Sequence, residues 1–81
     1  MNTKAFNLYH TDGCHLCELA ESVFSLIGKQ ALYQHVDIAE SEALVDQFGI
    51  RIPVVEHIES GACLDWPFDE QALIEFINKN Q

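Results

Sequence analysis

Two cysteines three positions apart stand where a strand pattern gives way to a helix pattern: Thr11-Asp12-Gly13-Cys14-His15-Leu16-Cys17-Glu18-Leu19-Ala20. Ahead of them, Ala5 to His10 alternates in part and is rich in aromatics, which predicts a strand. Behind them, Leu16, Leu19, Ala20, Val23, Phe24 and Ile27 keep the i, i+3, i+4, i+7, i+8 rhythm of one buried helical face. A Cys-x-x-Cys at such a junction, in a chain without a secretion signal, is the sequence form of a thiol–disulfide redox site. It constrains fold and chemistry together, because a strand must deliver both sulfurs to the first turn of a helix.

As a structural brace the pair is weak. A disulfide closing so short a loop contributes only roughly 2 kcal/mol in the chain-entropy account. Residues three apart on a helix hold their Cβ atoms about 5–6 Å from one another, whereas a disulfide prefers about 3.8 Å. Closure is therefore expected to distort the first helical turn and to give an easily reduced bond. The third cysteine, Cys63, leaves an odd count that does not suit a secreted disulfide scaffold.

The remaining pattern extends the same architecture. Gly28 stops the first helix, and Tyr33 to Ile38 reads as a second strand, far enough away for a right-handed crossover. Ser41 to Phe48 reads as a short helix ended by Gly49, and Pro53 to Ile58 as a third strand. Ser60-Gly61 marks a turn into a short strand over Ala62 to Asp65. Asp69 is a good N-cap for a last helix, with Phe68 and Leu73 placed as a hydrophobic staple and Leu73, Phe76 and Ile77 as its buried stripe. The order β-α-β-α-β-β-α, a parallel pair followed by an antiparallel hairpin, predicts an α/β sandwich with helices on both faces of a four-stranded mixed sheet. With 81 residues, no repeat and no linker, residues 1–81 are expected to form a single domain.

Charge excludes some partners. Thirteen Asp and Glu face four Lys and Arg, a net of −9, and the fixed cations Lys4, Lys29, Arg51 and Lys79 are scattered. Nucleic acid and anionic membrane surfaces need clustered cations, so neither is expected. An acidic surface serves solubility; its functional alternative is selection of a basic partner. No apolar run approaches the ~20 residues that cross a bilayer. Met1-Asn2-Thr3-Lys4 runs straight into the first strand pattern without a signal-peptide core, so a cytoplasmic location is expected.

The set Leu8-Tyr9, Cys14-His15-Leu16-Cys17, Val36-Asp37-Ile38, Phe48-Gly49-Ile50-Arg51-Ile52-Pro53-Val54 and Trp66-Pro67-Phe68, in this order, resembles the small glutaredoxin-like proteins of the thioredoxin superfamily. The resemblance covers nearly the whole chain and implies the three-layer thioredoxin/glutaredoxin-like sandwich. It implies a thiol-disulfide oxidoreductase with Cys14 attacking and Cys17 resolving. Pro53 would be the cis-proline that faces them, and Ile52 would offer its backbone to a bound peptide or glutathione. The implied partner is a protein disulfide or a low-molecular-weight thiol, handled by a monomer with no built-in cofactor. Glutathione as reductant is weakened by two departures. Thr11 stands where glutaredoxins usually carry a basic residue, and Asp65-Trp66-Pro67-Phe68-Asp69 stands where they usually carry paired glycines. Arg51 alone remains to meet one of its carboxylates.

Other readings stay open beside this one. The cysteines could hold a metal or an iron–sulfur cluster, with His10 and His15 nearby, although no second cysteine pair exists to complete a structural zinc site. The fold could also serve as a non-catalytic interaction module. Cys14 is expected to be moderately acidified by the helix N-terminus, with His15 helping and Asp12 and Glu18 opposing. Cys17, one turn in, is expected to be the more buried thiol. Cys63 is expected to be a small buried or half-buried filler, and Trp66 to pack at the sheet edge.

Overall fold

The computed structural model describes residues 4–81; the reading of Met1-Asn2-Thr3 lies outside them. The chain runs β1 (Phe6–His10), α1 (His15–Leu26), β2 (Tyr33–Asp37), α2 (Glu42–Phe48), β3 (Val54–His57), β4 (Cys63–Asp65) and α3 (Glu70–Asn80). Short 3-10 turns at Gln30–Leu32 and Ile38–Glu40 precede β2 and α2. The expected strand Tyr33 to Ile38 thus ends one residue early, and Ile38 enters the core from the 3-10 turn at 4% exposure.

The sheet order is β2-β1-β3-β4. β1 pairs in parallel with β2 (Phe6 beside Tyr33) and antiparallel with β3 (Tyr9 opposite Val54). β4 closes the edge antiparallel to β3, with Asp65 opposite Val54. The two-residue period of a strand sends alternate side chains to opposite faces. Phe6 and Leu8 join Ala20 and Phe24 of α1 and Leu73 and Ile77 of α3 in one core. Tyr9 turns the other way and packs with Ile38, Phe48 and Val54 under α2. The result is the three-layer sandwich.

Local chemistry sets the helix ends. Gly28, at φ 70°, ends α1 in a Schellman motif, with its N–H donated to Ser25 O and that of Lys29 to Phe24 O, both at 3.0 Å. The Ser41 hydroxyl accepts from the Leu44 N–H at 3.4 Å, and the Asp69 carboxylate from the Ala72 N–H at 2.8 Å, capping α2 and α3. Phe68 and Leu73 meet in the first core as the staple requires.

One expectation about α1 is corrected. Leu16 and Leu19 are 45% and 40% exposed, and the buried stripe runs through Cys17, Ala20 and Phe24. Cys17 takes a packing position that the apolar rhythm had assigned to leucine. At 3.6 residues per turn, a stripe centred on Cys17, Ala20 and Phe24 leaves Leu16 on its flank and turns Leu19 well away from it. Among the described residues no helix is long and apolar enough to cross a membrane.

Candidate active site

β1 ends at His10, and Thr11 to Gly13 carry the chain over the end of the sheet. Gly13 takes φ 76°, a backbone region that costs glycine nothing. Cys14 follows as the N-cap of α1, with extended backbone at φ −89° and ψ 99°. Its Sγ accepts the Cys17 N–H at 3.1 Å, and its carbonyl accepts the Glu18 N–H at 3.3 Å. Cys14 and Cys17 are joined in a disulfide, with Cα atoms 5.2 Å apart, inside the ordinary range. The expected distortion of the first turn is therefore not needed. Cys14 sits just outside the helix, and its extended backbone brings the sulfurs together while α1 starts normally. Cys17 is 2% exposed, Cys14 half-buried and His15 exposed.

The pairing register brings more chain to the same end. Tyr9 opposite Val54 and Val54 opposite Asp65 place the end of β1, the start of β3 and the end of β4 together. Pro53 is buried there and its bond to Ile52 is cis; its carbonyl accepts the Trp66 N–H at 3.2 Å. The Trp66–Pro67 bond is also cis, and Trp66 is half-buried against the first core, as expected of it. Ile52 is half-buried against the Tyr9 core, and its N–H donates to Phe48 O at 3.0 Å. Its amide is thus already paired within the chain.

Arg51 is paired as well. Its Nε donates to Asp65 Oδ2 at 2.9 Å and its Nη2 to Asp65 Oδ1 at 2.8 Å. Its guanidinium lies 5.1 Å from the centre of the Phe48 ring. The Arg51 hydrogen bond, followed by its charge, holds the Asp65 carboxyl below the usual range; the same bond pushes the guanidinium further up. Cys63 differs from expectation, being exposed. On a three-residue edge strand only the middle residue, Leu64, turns inward, and Cys63 is left at the rim. Desolvation of its sulfur, with the Glu56 carboxylate second, pushes its thiol up.

Beside the disulfide opens a cleft of about 390 Å³, lined by both cysteines and by His10, Asp12, Glu18, Glu21 and His35. His35 Nε2 lies 2.8 Å from Glu21 Oε1, and its ring meets that of His10 edge-on at 4.8 Å. Arg51, Ile52, Pro53 and His15 do not line this cleft. Among the described residues no group of three or more His, Cys, Asp and Glu side chains could hold a metal ion. His35, Glu21 and Asp65 were not singled out from the sequence. Parallel pairing of β1 with β2 puts His35 on the face of Leu8 and His10, the face that α1 covers, and that register was the available signal for it. For Asp65 the signal was weaker: an acid standing where the resembling proteins carry glycine.

Comparison with known proteins follows this geometry. Residues 6–78 match the family described as Glutaredoxin-like domain (DUF836). A structural genomics target protein from X. campestris, solved by X-ray methods, is 32% identical over 95% of this chain and 100% of its own, with a TM-score of 0.85. A solution structure of the same target gives 33% identity, 95% and 96% coverage and a TM-score of 0.81. A protein from Nitrosomonas europaea shares the fold at 20% identity, 94% and 93% coverage and a TM-score of 0.75. No curated protein matches the sequence significantly.

Proposed function

Because the chain belongs to the glutaredoxin-like domain (DUF836) family, we propose that it is a thiol-disulfide oxidoreductase that exchanges disulfides through Cys14 and Cys17. The observation that carries this reading is the N-cap placement of Cys14, with the Cys17 N–H donated to its sulfur. A hydrogen bond to the charged form and the open end of a helix both favour a thiolate, and the thiolate is the nucleophile.

The burial difference supports an order of events. In the reduced protein the half-buried Cys14 thiolate attacks one sulfur of a substrate disulfide. The substrate S–S bond breaks, one substrate thiolate leaves, and a mixed disulfide forms on Cys14. Cys17, at 2% exposure, is shielded from bulk disulfides but adjacent to the Cys14 sulfur. Its thiolate attacks Cys14 Sγ, the second substrate thiolate leaves, and the Cys14–Cys17 bond closes. The substrate gains two electrons and the protein loses two, to be returned by an external dithiol or thiol. Substrates are disulfides of proteins or small thiols, and a reducing compartment such as the cytoplasm suits a pair that must turn over.

A redox titration with mass mapping tests the reading. A two-electron couple assigned to the Cys14–Cys17 bond is expected, and Cys14→Ser is expected to abolish both the couple and disulfide reduction. Undiminished disulfide reduction by Cys14→Ser would refute it.

A further inference from the structure

We propose that Asp65 acts as an internal carboxylate on Arg51 and so sets substrate specificity, turning this thiol site away from disulfides whose halves carry carboxylates, glutathione disulfide among them, and toward neutral and cationic ones. The proposal rests on the thiol–disulfide reading of Cys14 and Cys17 and names the substrate class of that same site.

Arg51 is the one fixed cation at this end of the sheet among the described residues. α1 and α3 both start at this end, so Lys29, past the end of α1, and Lys79, in the last turn of α3, lie toward the other. Lys4 precedes β1, and its Nζ donates to Ala31 O at 3.0 Å at the opposite end of the pairing. Carboxylate recognition by arginine favours two parallel N–H bonds from one edge of the guanidinium. Asp65 already holds the Nε–Nη2 edge in that way, and the guanidinium carbon lies over the Phe48 ring. An incoming carboxylate must either displace this partner, which is tethered to the neighbouring strand and competes at a high effective concentration, or take the remaining Nη1–Nη2 end of a guanidinium whose charge Asp65 already offsets. The amide of Ile52, donated to Phe48 O, offers no second handle. On the other flank of the disulfide the cleft presents Asp12 and Glu18, with Glu21 held by His35 and His10 beside it, and no lysine or arginine. The whole chain carries −9, which adds a repulsive field for anions and an attractive one for cations.

A charge series of small disulfides of similar size tests this: cystamine (cationic), hydroxyethyl disulfide (neutral) and dithiodipropionate (anionic). Dithiothreitol serves as electron donor, and each rate is divided by the rate without protein. The natural chain is expected to favour them in that order. Asp65→Asn is expected to raise the dithiodipropionate rate relative to hydroxyethyl disulfide by about tenfold, the range in which single charge-assisted contacts act. The gain should vanish in Arg51→Gln/Asp65→Asn. It should be much smaller in Glu18→Gln, which removes an equal charge beside the disulfide without touching Arg51. A second readout needs no turnover. In Cys14→Ser/Cys17→Ser protein, the Arg51 Nε–H resonance is followed by NMR as S-methylglutathione is added. Binding is expected to tighten about tenfold when Asp65→Asn is introduced. Equal reduction of the anionic and neutral disulfides by the natural chain overturns the proposal. So does an equal gain in Glu18→Gln, or S-methylglutathione binding indifferent to Asp65. If the natural chain reduces none of the three, the thiol–disulfide reading fails, and the NMR titration alone decides whether Asp65 blocks Arg51.

Discussion

Tyr9 reaches across the sheet, and its hydroxyl donates to Glu56 Oε1 at 2.7 Å. Asn7 donates to the same oxygen at 3.1 Å and accepts from the exposed Gln34 at 2.8 Å, so a polar ladder crosses three strands on the Tyr9 face of the sheet. Its part-buried members, Asn7 and Glu56, are thereby satisfied, which avoids the cost of unpaired polar groups. Burial, then the bond to Glu56, pushes the Tyr9 phenol from 10.0 up to about 12. The sign follows from proton binding. Between those values an unfolded tyrosine has lost its proton and the folded one keeps it, so stability falls as pH rises. Urea unfolding at a series of pH values from neutrality to strong alkali should show this decline, with a shallower slope in Tyr9→Phe. At the same scale, the two cysteines differ through one fact: the cap position leaves Cys14 at the rim, and the third helical position draws Cys17 into the core.

Helix α3 is held at its start by two devices that were legible in the sequence. The Asp69 carboxylate satisfies an otherwise orphan amide, and Phe68 packs with Leu73 just behind it. Asp69→Ala should destabilise the protein by about 1 kcal/mol. For a domain of this length that corresponds to a drop in Tm of roughly 4–8 °C, measurable by thermal unfolding. Helix α1 was legible in extent but not in orientation. Its end at Gly28 follows from a residue that accepts positive φ. Its buried face depended on how the helix rolls against β1. Two leucines counted as core turned outward once the sheet was present, while Cys17, expected to be the more buried thiol, took a core position. For β4, sequence placed the strand, but its position at the sheet edge turned Cys63 outward.

Two cores, one on each face of a single sheet, carry the molecule. Phe24 lies at 0% exposure between α1 and the sheet, its ring 4.2 Å from that of Tyr33. Phe24→Ala should cost about 3–5 kcal/mol. A chain of this size has a stability on the order of 4–12 kcal/mol, so the variant should show a urea midpoint near half the natural value or be unfolded in buffer. An unchanged midpoint would mean that this core is not limiting. From sequence alone came the cysteine pair at the strand-to-helix junction, the element order and the caps at Gly28 and Asp69. Each is a short-range property, in which apolar rhythm, a capping side chain or a Cys-x-x-Cys spacing acts within a few residues of itself. The Arg51–Asp65 pair and the His10–His35–Glu21 side of the cleft were settled only by the tertiary structure. Arg51 and Asp65 are 14 positions apart, as are Glu21 and His35, so their meeting depends on strand register and on helix roll. Those are set by how the whole core packs, and no local pattern records them.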